Sequence, residues 1–196
     1  MANRRKAGGR RKKARRQHRV AGSPTNRAAP SGVEAFGWAI LVHPLFLDQI
    51  EKLVAAAEAE RSGLTADPGP NAKLLAHLLD LAFDKIPRDP GNAGLRHGGT
   101  LGRDRKHWFR AETGNGRYRL FYRFQSAARI IVYAWVNDEN SLRTYGRSTD
   151  AYAVFAKMLN DGNPPNDFDS LVAAASTPSG SKRLEAVVKR RRGARR

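Results

Sequence analysis

The strongest constraint on the fold of this chain is the run from Arg117 to Phe124, in which side chains alternate in a period of two. A period of two in a segment rich in aromatics predicts a half-buried β-strand. The glycines of Gly114-Asn115-Gly116 predict a tight turn before it, with residues 107–112 as the first arm of a hairpin. One face is expected to pack on a core while the other projects Arg119 and Arg123, and guanidinium groups held on a rigid sheet can bind phosphate bidentately.

Hydrophobic periodicity predicts the remaining elements in the order β-α-α-β-β-β-α. Strands are expected at residues 36–42, 107–112, 117–124 and 129–136, the last covered on both faces, and helices at 44–61, 71–86 and 149–160, with a short helical turn at 168–175. His77 on the second helix is interpreted as structural rather than catalytic. The fold class is therefore α/β (α+β), with a small antiparallel-rich sheet, two N-terminal helices and one C-terminal helix.

The net charge of +18 is concentrated at the two ends of the chain. Residues 1–30 contain eleven Lys or Arg and no acid, and residues 181–196 contain eight Lys or Arg and one Glu. The sequence predicts a disordered basic arm at 1–31, a folded domain at 32–175 and a disordered basic tail at 176–196. The N-terminal arm would attract nucleic acid or act only as a solubilising segment. Within the neutral body, residues 96–147 are locally basic.

The composition excludes several classes of chemistry. The chain has no Cys, which removes disulfides, thiolate metal sites and thiol nucleophiles. No apolar run is long enough to span a bilayer and no secretory pattern begins the chain, so a soluble cytoplasmic protein without a membrane partner is expected. Asp138 and Glu139 are interpreted as a polar turn rather than as metal ligands, no His pair has ligand spacing, and no phosphate-binding glycine loop is present. We therefore expect neither a metal nor a cofactor.

A basic cluster is the remaining source of chemistry. RNA cleavage needs no metal when the 2′-hydroxyl attacks the adjacent phosphate, provided that the protein orients the hydroxyl, neutralises the phosphorane and moves protons. Charge would come from arginines, proton transfer from His97 or His107, and base stacking from aromatic side chains. The alternative is that each arginine is a solvated surface residue. The candidates for charge and stacking are Arg110, Arg119, Arg123, Arg143, Trp108, Tyr145 and Tyr152.

The order of elements and several strings also resemble the YhaV family of type II toxins, within the RelE/ParE-like superfamily of ribosome-dependent mRNA interferases. The resemblance spans about residues 36–170. It is carried by Gly37-Trp38-Ala39, His43-Pro44, Arg96-His97-Gly98, Leu101-Gly102, Gly116-Arg117-Tyr118-Arg119-Leu120-Phe121, Asn137-Asp138-Glu139-Asn140, Leu142-Arg143-Thr144-Tyr145-Gly146, Thr149-Asp150-Ala151-Tyr152, Val154-Phe155 and Lys157-Met158-Leu159.

The resemblance implies metal-independent cleavage of mRNA on the ribosome. Arg119 matches the superfamily arginine that stabilises the transition-state phosphate, Arg143 resembles a second arginine, and Tyr152 is similar in place to a tyrosine near the C-terminal helix. Arg110 and His97 complete the implied catalytic set. The implied RNA-binding set is Arg96, Arg117, Arg123, Trp108, Tyr145 and Arg147.

The same resemblance implies partners: mRNA, the ribosome, a cognate antitoxin similar to PrlF-type swapped-hairpin proteins, and operator DNA through the antitoxin complex. Two alternatives stay open at this point. One is a non-catalytic RNA- or ribosome-binding protein that acts through its basic arms. The other is a toxin directed at gyrase, because ParE-like relatives share the fold and a fold does not fix an activity.

Overall fold

The computed structural model describes residues 33–61, 67–96 and 99–194, with side chains described as far as Arg190. The basic arm at 1–31 and His97 therefore lie outside the described residues.

A five-stranded mixed sheet forms the centre of the fold, in the order β1-β2-β5-β4-β3. The strands are β1 (Val33–Ala35), β2 (Trp38–Val42), β3 (Phe109–Thr113), β4 (Tyr118–Gln125) and β5 (Ile130–Val136). β2 pairs with β5 in parallel and the other neighbouring strands are antiparallel. The α+β class and the antiparallel-rich sheet are confirmed. The prediction of one strand over 36–42 is wrong at its start, because Phe36 and Gly37 adopt positive φ in a turn between β1 and β2.

Two helical segments cover one face of the sheet, as the sequence predicted. They are α1 (Pro44–Arg61) and α2 (Pro70–Asp80), which continues through a π-helical stretch (Leu81–Lys85) into α3 (Ile86–Arg88). Phe46 and Ile50 of α1 and Leu78 of α2 are buried in one core with Tyr122 and Tyr133 of the sheet. The second helix begins at Pro70, one residue before the predicted start at 71. Gly69 occupies the N-cap position, and the Glu60 carboxylate at the end of α1 accepts from the backbone N–H of Asn71 at 3.1 Å.

The opposite face of the sheet is covered by α4 (Ala151–Asn160) and α5 (Phe168–Ala175). The Phe121 ring of β4 stacks on Phe155 of α4 with centroids 4.2 Å apart, and Phe155 also stacks on Trp135 of β5. The half-buried strand predicted at 117–124 is thus wrong, since β4 is covered on both faces. Trp135 lies against Phe155 whereas Tyr133 lies in the core beneath α1, because an irregular register beside Phe121 interrupts the alternation along β5.

The predicted disordered tail at 176–196 is also wrong where the structure describes it. Residues Pro178–Ala194 form a helix, α6, that lies against α1 and β2. Leu184 and Val187 are buried in the core, and the Arg183 guanidinium donates to Glu51 at 2.8 Å and Asp48 at 2.6 Å. Charge alone predicted disorder here, but two apolar residues at helical spacing and the acids on α1 hold the segment in place.

Candidate active site

Three arginines and one tyrosine from separate elements are joined by side-chain contacts on the α4 side of the sheet. We call Arg110, Arg119, Arg143 and Tyr152 the arginine network. Arg110 comes from β3, Arg119 from β4, Arg143 from the loop after β5 and Tyr152 from α4. Four of the five expected catalytic residues are thus brought together, and the fifth, His97, lies outside the described residues.

The hairpin of β3 and β4 places Arg110 and Arg119 on one face. Glu112 pairs with Arg119 and Arg110 pairs with Phe121 in the antiparallel register, so all four side chains share that face. Glu112 Oε1 lies 3.1 Å from Arg110 Nη2 and 3.4 Å from Arg119 Nη2. The carboxylate of Glu112 therefore holds two guanidinium groups close together that would otherwise repel each other. Sequence reasoning missed Glu112, although the hairpin register was the signal that could have found it.

Arg119 lies below the surface, with its side chain 6% exposed. Its Nη1 donates to the carbonyl oxygens of Gly116 at 2.6 Å and Tyr118 at 3.0 Å. Its Nε is buried and has no acceptor among the described residues. Arg119 was expected to project freely from the sheet, and instead the backbone of its own hairpin binds it.

Asn137 fixes the end of β4 against the loop that carries Arg143. This buried amide accepts from the backbone N–H of Arg119 at 2.5 Å and donates to the carbonyl oxygen of Ser141 at 2.9 Å. Asp138 then caps the 3₁₀ turn Glu139–Ser141, which agrees with the turn predicted at Asp138 and Glu139. Asn137 was predicted only as part of a polar loop. Backbone polar groups inside a protein need hydrogen bonds, and the Asn137 amide supplies them to the Arg119 N–H and the Ser141 carbonyl.

Asp150 holds Arg143 and also begins α4. Its Oδ2 contacts Arg143 Nη1 and accepts from the backbone N–H of Thr144 at 2.6 Å, while its Oδ1 accepts from the backbone N–H of Tyr152 at 3.0 Å. The N-cap of α4 is therefore Asp150, so the helix begins at Ala151 and not at the predicted residue 149. The signal for Asp150 was an aspartate directly before an amphipathic run.

Aromatic rings lie beneath the Arg143 guanidinium. Its Cζ is 3.7 Å from the centroid of Tyr145 and 4.8 Å from that of Tyr152. Tyr145 is 83% exposed, whereas Tyr152 is buried with its ring edge against Phe121. The Tyr152 hydroxyl accepts from Arg110 Nε at 2.8 Å. The arginine network thus reaches the surface beside one exposed aromatic ring.

The structure places two of the expected RNA-binding residues elsewhere. Trp108 is fully buried in the core and its Nε1 donates to Asn166 at 2.8 Å, so the prediction that it stacks on bases is wrong. Arg123 Nη1 donates to the carbonyl oxygen of Asn166 at 2.5 Å, and burial lowers the pKa of its guanidinium. His107 also contacts Asn166. These three side chains join β3 and β4 to the segment before α5 and lie outside the arginine network.

The remaining candidates, Arg96, Arg117 and Arg147, are exposed and outside the arginine network. Arg96, the residue before His97, forms a β-bridge with Phe109 next to Arg110. Its guanidinium lies over the Phe109 ring, 5.0 Å from the centroid. The Arg117 carbonyl accepts from the backbone N–H of Arg143 at 3.1 Å, which ties the Arg143 loop to the start of β4. Their side chains remain candidates for contacts with RNA.

No three His, Asp or Glu side chains in the part of the chain that the structure describes are grouped so that they would hold a metal ion. None of the helices described is long and apolar enough to cross a membrane.

Comparison with known proteins assigns this chain to a family. Residues 40–176 match the YhaV toxin family, described as a toxin with endonuclease activity, of a toxin-antitoxin system. Toxin YhaV of Escherichia coli O6:H1 is 44% identical over 138 residues, which cover 69% of this chain and 90% of that protein. Ribonuclease toxin YhaV of Escherichia coli K12 is 42% identical over 138 residues, which again cover 69% of this chain and 90% of that protein. No solved structure matches significantly.

The match confirms the expected nuclease toxin and disagrees with the non-catalytic and gyrase-directed alternatives. The chain belongs to the YhaV family of endonuclease toxins, which act within toxin-antitoxin systems and have a cognate antitoxin as partner.

Proposed function

We propose that this toxin is a metal-independent endoribonuclease that cleaves mRNA through attack of the 2′-hydroxyl on the adjacent phosphate, and that in the cell it acts on message bound to the ribosome. The observation that carries the proposal is the arginine network, which gathers three guanidinium groups and a tyrosine beside an exposed aromatic ring. The relative from Escherichia coli K12 is named a ribonuclease toxin, which supports RNA as the substrate.

The proposed reaction is an in-line transfer at phosphorus. The 2′-oxygen forms a bond to phosphorus and its proton passes to a base. The bond from phosphorus to the 5′-oxygen breaks, and that oxygen takes up a proton. The products are a 2′,3′-cyclic phosphate and a 5′-hydroxyl. Negative charge grows on the phosphorane, so guanidinium groups fixed beforehand near it would lower the barrier.

The exposure of the arginine side chains suggests which of them would contact the phosphorane. The side chains of Arg110 and Arg143 are 19% and 12% exposed and reach the surface, so we assign them the contacts with the phosphorane oxygens. Arg119 is less exposed and adds positive charge behind the carboxylate of Glu112. The Tyr152 hydroxyl positions Arg110, and the Tyr145 ring would stack on a base next to the scissile phosphate.

Proton transfer is assigned to His97, on chemistry alone. Arg96, Arg117 and Arg147 are exposed and would bind flanking phosphates. The cognate antitoxin would be a PrlF-type swapped-hairpin protein, and the complex of the two would bind operator DNA. All of these partners are expected in the cytoplasm.

The deciding experiment is cleavage of a defined RNA by the purified full chain in the presence of EDTA. We expect 2′,3′-cyclic phosphate ends with the wild-type chain, no cleavage when a 2′-deoxynucleotide replaces the scissile nucleotide, and strong loss with Arg143→Ala. Arg61→Ala removes an exposed charge at the end of α1 and serves as the matched control. Cleavage that requires added Mg²⁺, or that leaves a 5′-phosphate, would overturn the mechanism.

The role of the ribosome is tested in cells by primer extension on message after brief induction. New 5′ ends confined to translated frames, and lost when the start codon of the reporter is removed, would support cleavage on the ribosome. Ends that persist on the untranslated reporter would contradict it while leaving the ribonuclease itself intact.

A further inference from the structure

The described part of the chain exposes two large hydrophobic side chains, and each lies beneath a guanidinium group. Tyr145, 83% exposed, lies under Arg143 in the arginine network. Phe36, 47% exposed, lies under Arg88, whose Cζ is 4.3 Å from the ring centroid. The proposed reaction gives Tyr145 a role. It gives none to Phe36, whose ring stays about half exposed.

Phe36 forms one side of a groove of about 670 Å³ at the other end of the sheet. This volume is within the range of sites for small ligands, roughly 300 to 1,000 Å³. Trp38 and Phe124 add two more rings, in edge-to-face contact at 5.8 Å. The Arg129 guanidinium lies over the Trp38 ring, 4.5 Å from its centroid. The groove thus combines aromatic faces with two arginines.

The backbone around the groove is held in an unusual conformation. Phe36 and Arg129 adopt φ of 51° and 54°, which bulky L-residues seldom do. The Arg129 side chain holds the turn between β1 and β2, because its Nη2 donates to the Phe36 carbonyl and its Nε to the Gly37 carbonyl, each at 3.1 Å. Such conformations cost free energy and concentrate at binding sites. Here they hold the Phe36 ring outward.

We infer that this groove is a second RNA subsite, which stacks one unpaired base of the substrate against Phe36 and binds the neighbouring phosphate through Arg88, whose Nε and Nη2 also donate to Asp84 at 3.4 and 3.0 Å. Aromatic rings and guanidinium planes stack on any base, and arginines attract the backbone. Asp89 also lines the groove, and its carboxylate would accept from an N–H group on the edge of the base. The inference rests on the proposal that RNA is the substrate.

The subsite and the arginine network lie on opposite faces of the sheet. Phe124 is five residues from Arg119 on β4, about 17 Å at the rise of a β-strand, and this odd spacing puts its ring on the α1 face, whereas Arg119 lies on the α4 face. At the edge strand β3 the Phe124 ring contacts Phe109 at 5.0 Å, and the exposed Arg96 lies over Phe109. A single strand bound at both ends would pass around this edge of the sheet at Arg96. The subsite would therefore strengthen binding of long RNA and leave short RNA unaffected.

The test uses the full chain with two uncleavable 2′-O-methyl RNAs, one of about ten nucleotides and one of three. Phe36→Asn removes the ring but keeps a residue that tolerates positive φ, whereas Phe36→Tyr keeps the ring. Arg88→Ala removes the guanidinium, and Lys85→Ala removes an exposed charge outside the groove as its control. Affinities are compared by fluorescence anisotropy.

We expect Phe36→Asn to weaken binding of the long RNA roughly 5- to 150-fold, the range for one stacked base, with Phe36→Tyr close to wild type. Arg88→Ala should weaken the long RNA more than Lys85→Ala does. Unchanged affinity of Phe36→Asn and Arg88→Ala for the long RNA would overturn the subsite while the wild type still binds and cleaves. A wild type that neither binds nor cleaves RNA would instead overturn the proposed function, and the subsite with it.

Discussion

The Nε of Arg110 donates to the hydroxyl of Tyr152 across 2.8 Å, a contact that joins β3 of the sheet to α4. Arg110 has no freedom to turn away, because its Nη1 also donates to the carbonyl oxygen of Gly94 at 2.9 Å. The guanidinium is thus held from two directions by elements that are distant in sequence. Fixing a group before the substrate arrives is what makes electrostatic catalysis effective.

Tyr152→Phe should lower the cleavage rate while leaving the fold nearly intact. The substitution removes the hydroxyl that positions Arg110 but keeps the ring against Phe121. We expect a loss of about 0.5–1.5 kcal/mol in the free energy of unfolding, the usual net value of one hydrogen bond. The measurement is single-turnover cleavage beside a urea titration. An unchanged cleavage rate would show that this hydroxyl does not position a working group.

Arg143→Ala should reduce cleavage by about 10²- to 10³-fold, the range for removing one donor to a transition-state oxyanion. The guanidinium is held by Asp150 and lies over Tyr145, so Arg143→Lys should restore charge but not this geometry. Single-turnover rates of both variants, with Arg61→Ala as control, distinguish geometry from charge. Full recovery in Arg143→Lys would mean that only the charge matters.

Arg119→Ala should destabilise the fold. A loss of activity in this variant would therefore combine lower stability with the loss of positive charge beside the substrate. The Arg119 guanidinium is nearly buried, and its removal leaves the carbonyls of Gly116 and Tyr118 without their donor. We expect the free energy of unfolding to fall by about 1–3 kcal/mol, measured by urea denaturation. Stability equal to wild type would show that the hairpin turn does not depend on this side chain.

Leu184→Ala should lower the free energy of unfolding by about 2–5 kcal/mol, the usual cost of truncating a buried leucine. Glu185 is exposed on the same helix, so Glu185→Ala is the matched control and should change stability by less than about 0.5 kcal/mol. Urea denaturation of both variants is the measurement. Equal stabilities would mean that α6 does not contribute to the core.

The free energy of unfolding should fall as the pH drops below 6.5. His43 is buried at the start of α1, and burial lowers its pKa from 6.5, with Asp48 opposing this. The unfolded chain binds the proton first, so this contribution is complete above pH 6.5 and is lost as the pH falls towards the depressed pKa of the folded state. The slope from one group is at most about 1.4 kcal/mol per pH unit.

His43→Asn provides the control for this pH dependence. The Nδ1 of His43 accepts from the backbone N–H of Leu45 at 3.3 Å, and an asparagine can keep an acceptor there without titrating. Urea titrations from pH 7.5 to 5 should show a flatter profile for the variant. Parallel profiles would assign the pH dependence to other groups.

Periodicity was sufficient to locate β4, β5 and α1, but it missed β1, whose three residues are too few to show a pattern. It could not predict that α4 and α5 cover the second face of β4, because Arg119 and Arg123 resemble solvent-facing residues until their backbone acceptors are known. The helix α6 was missed because its many charged residues predicted disorder. Leu184, Val187 and Arg183 nevertheless hold it against the core and α1.

The sequence identified the candidate catalytic residues but not the contacts that join them. Sequence spacing does not show that Glu112 lies between two arginines or that Asp150 serves both a helix and a guanidinium. Such pairings depend on strand register and on the approach of α4, which only the folded chain provides.

The shared use of Asp150 has a consequence for inhibition. One carboxylate caps α4 and holds Arg143, so fraying of the first turn of that helix would release the arginine as well. A binding partner would not need to cover the arginine network to inhibit this toxin, because loosening a single helical turn would release Arg143, to which the proposed mechanism assigns a contact with the phosphorane.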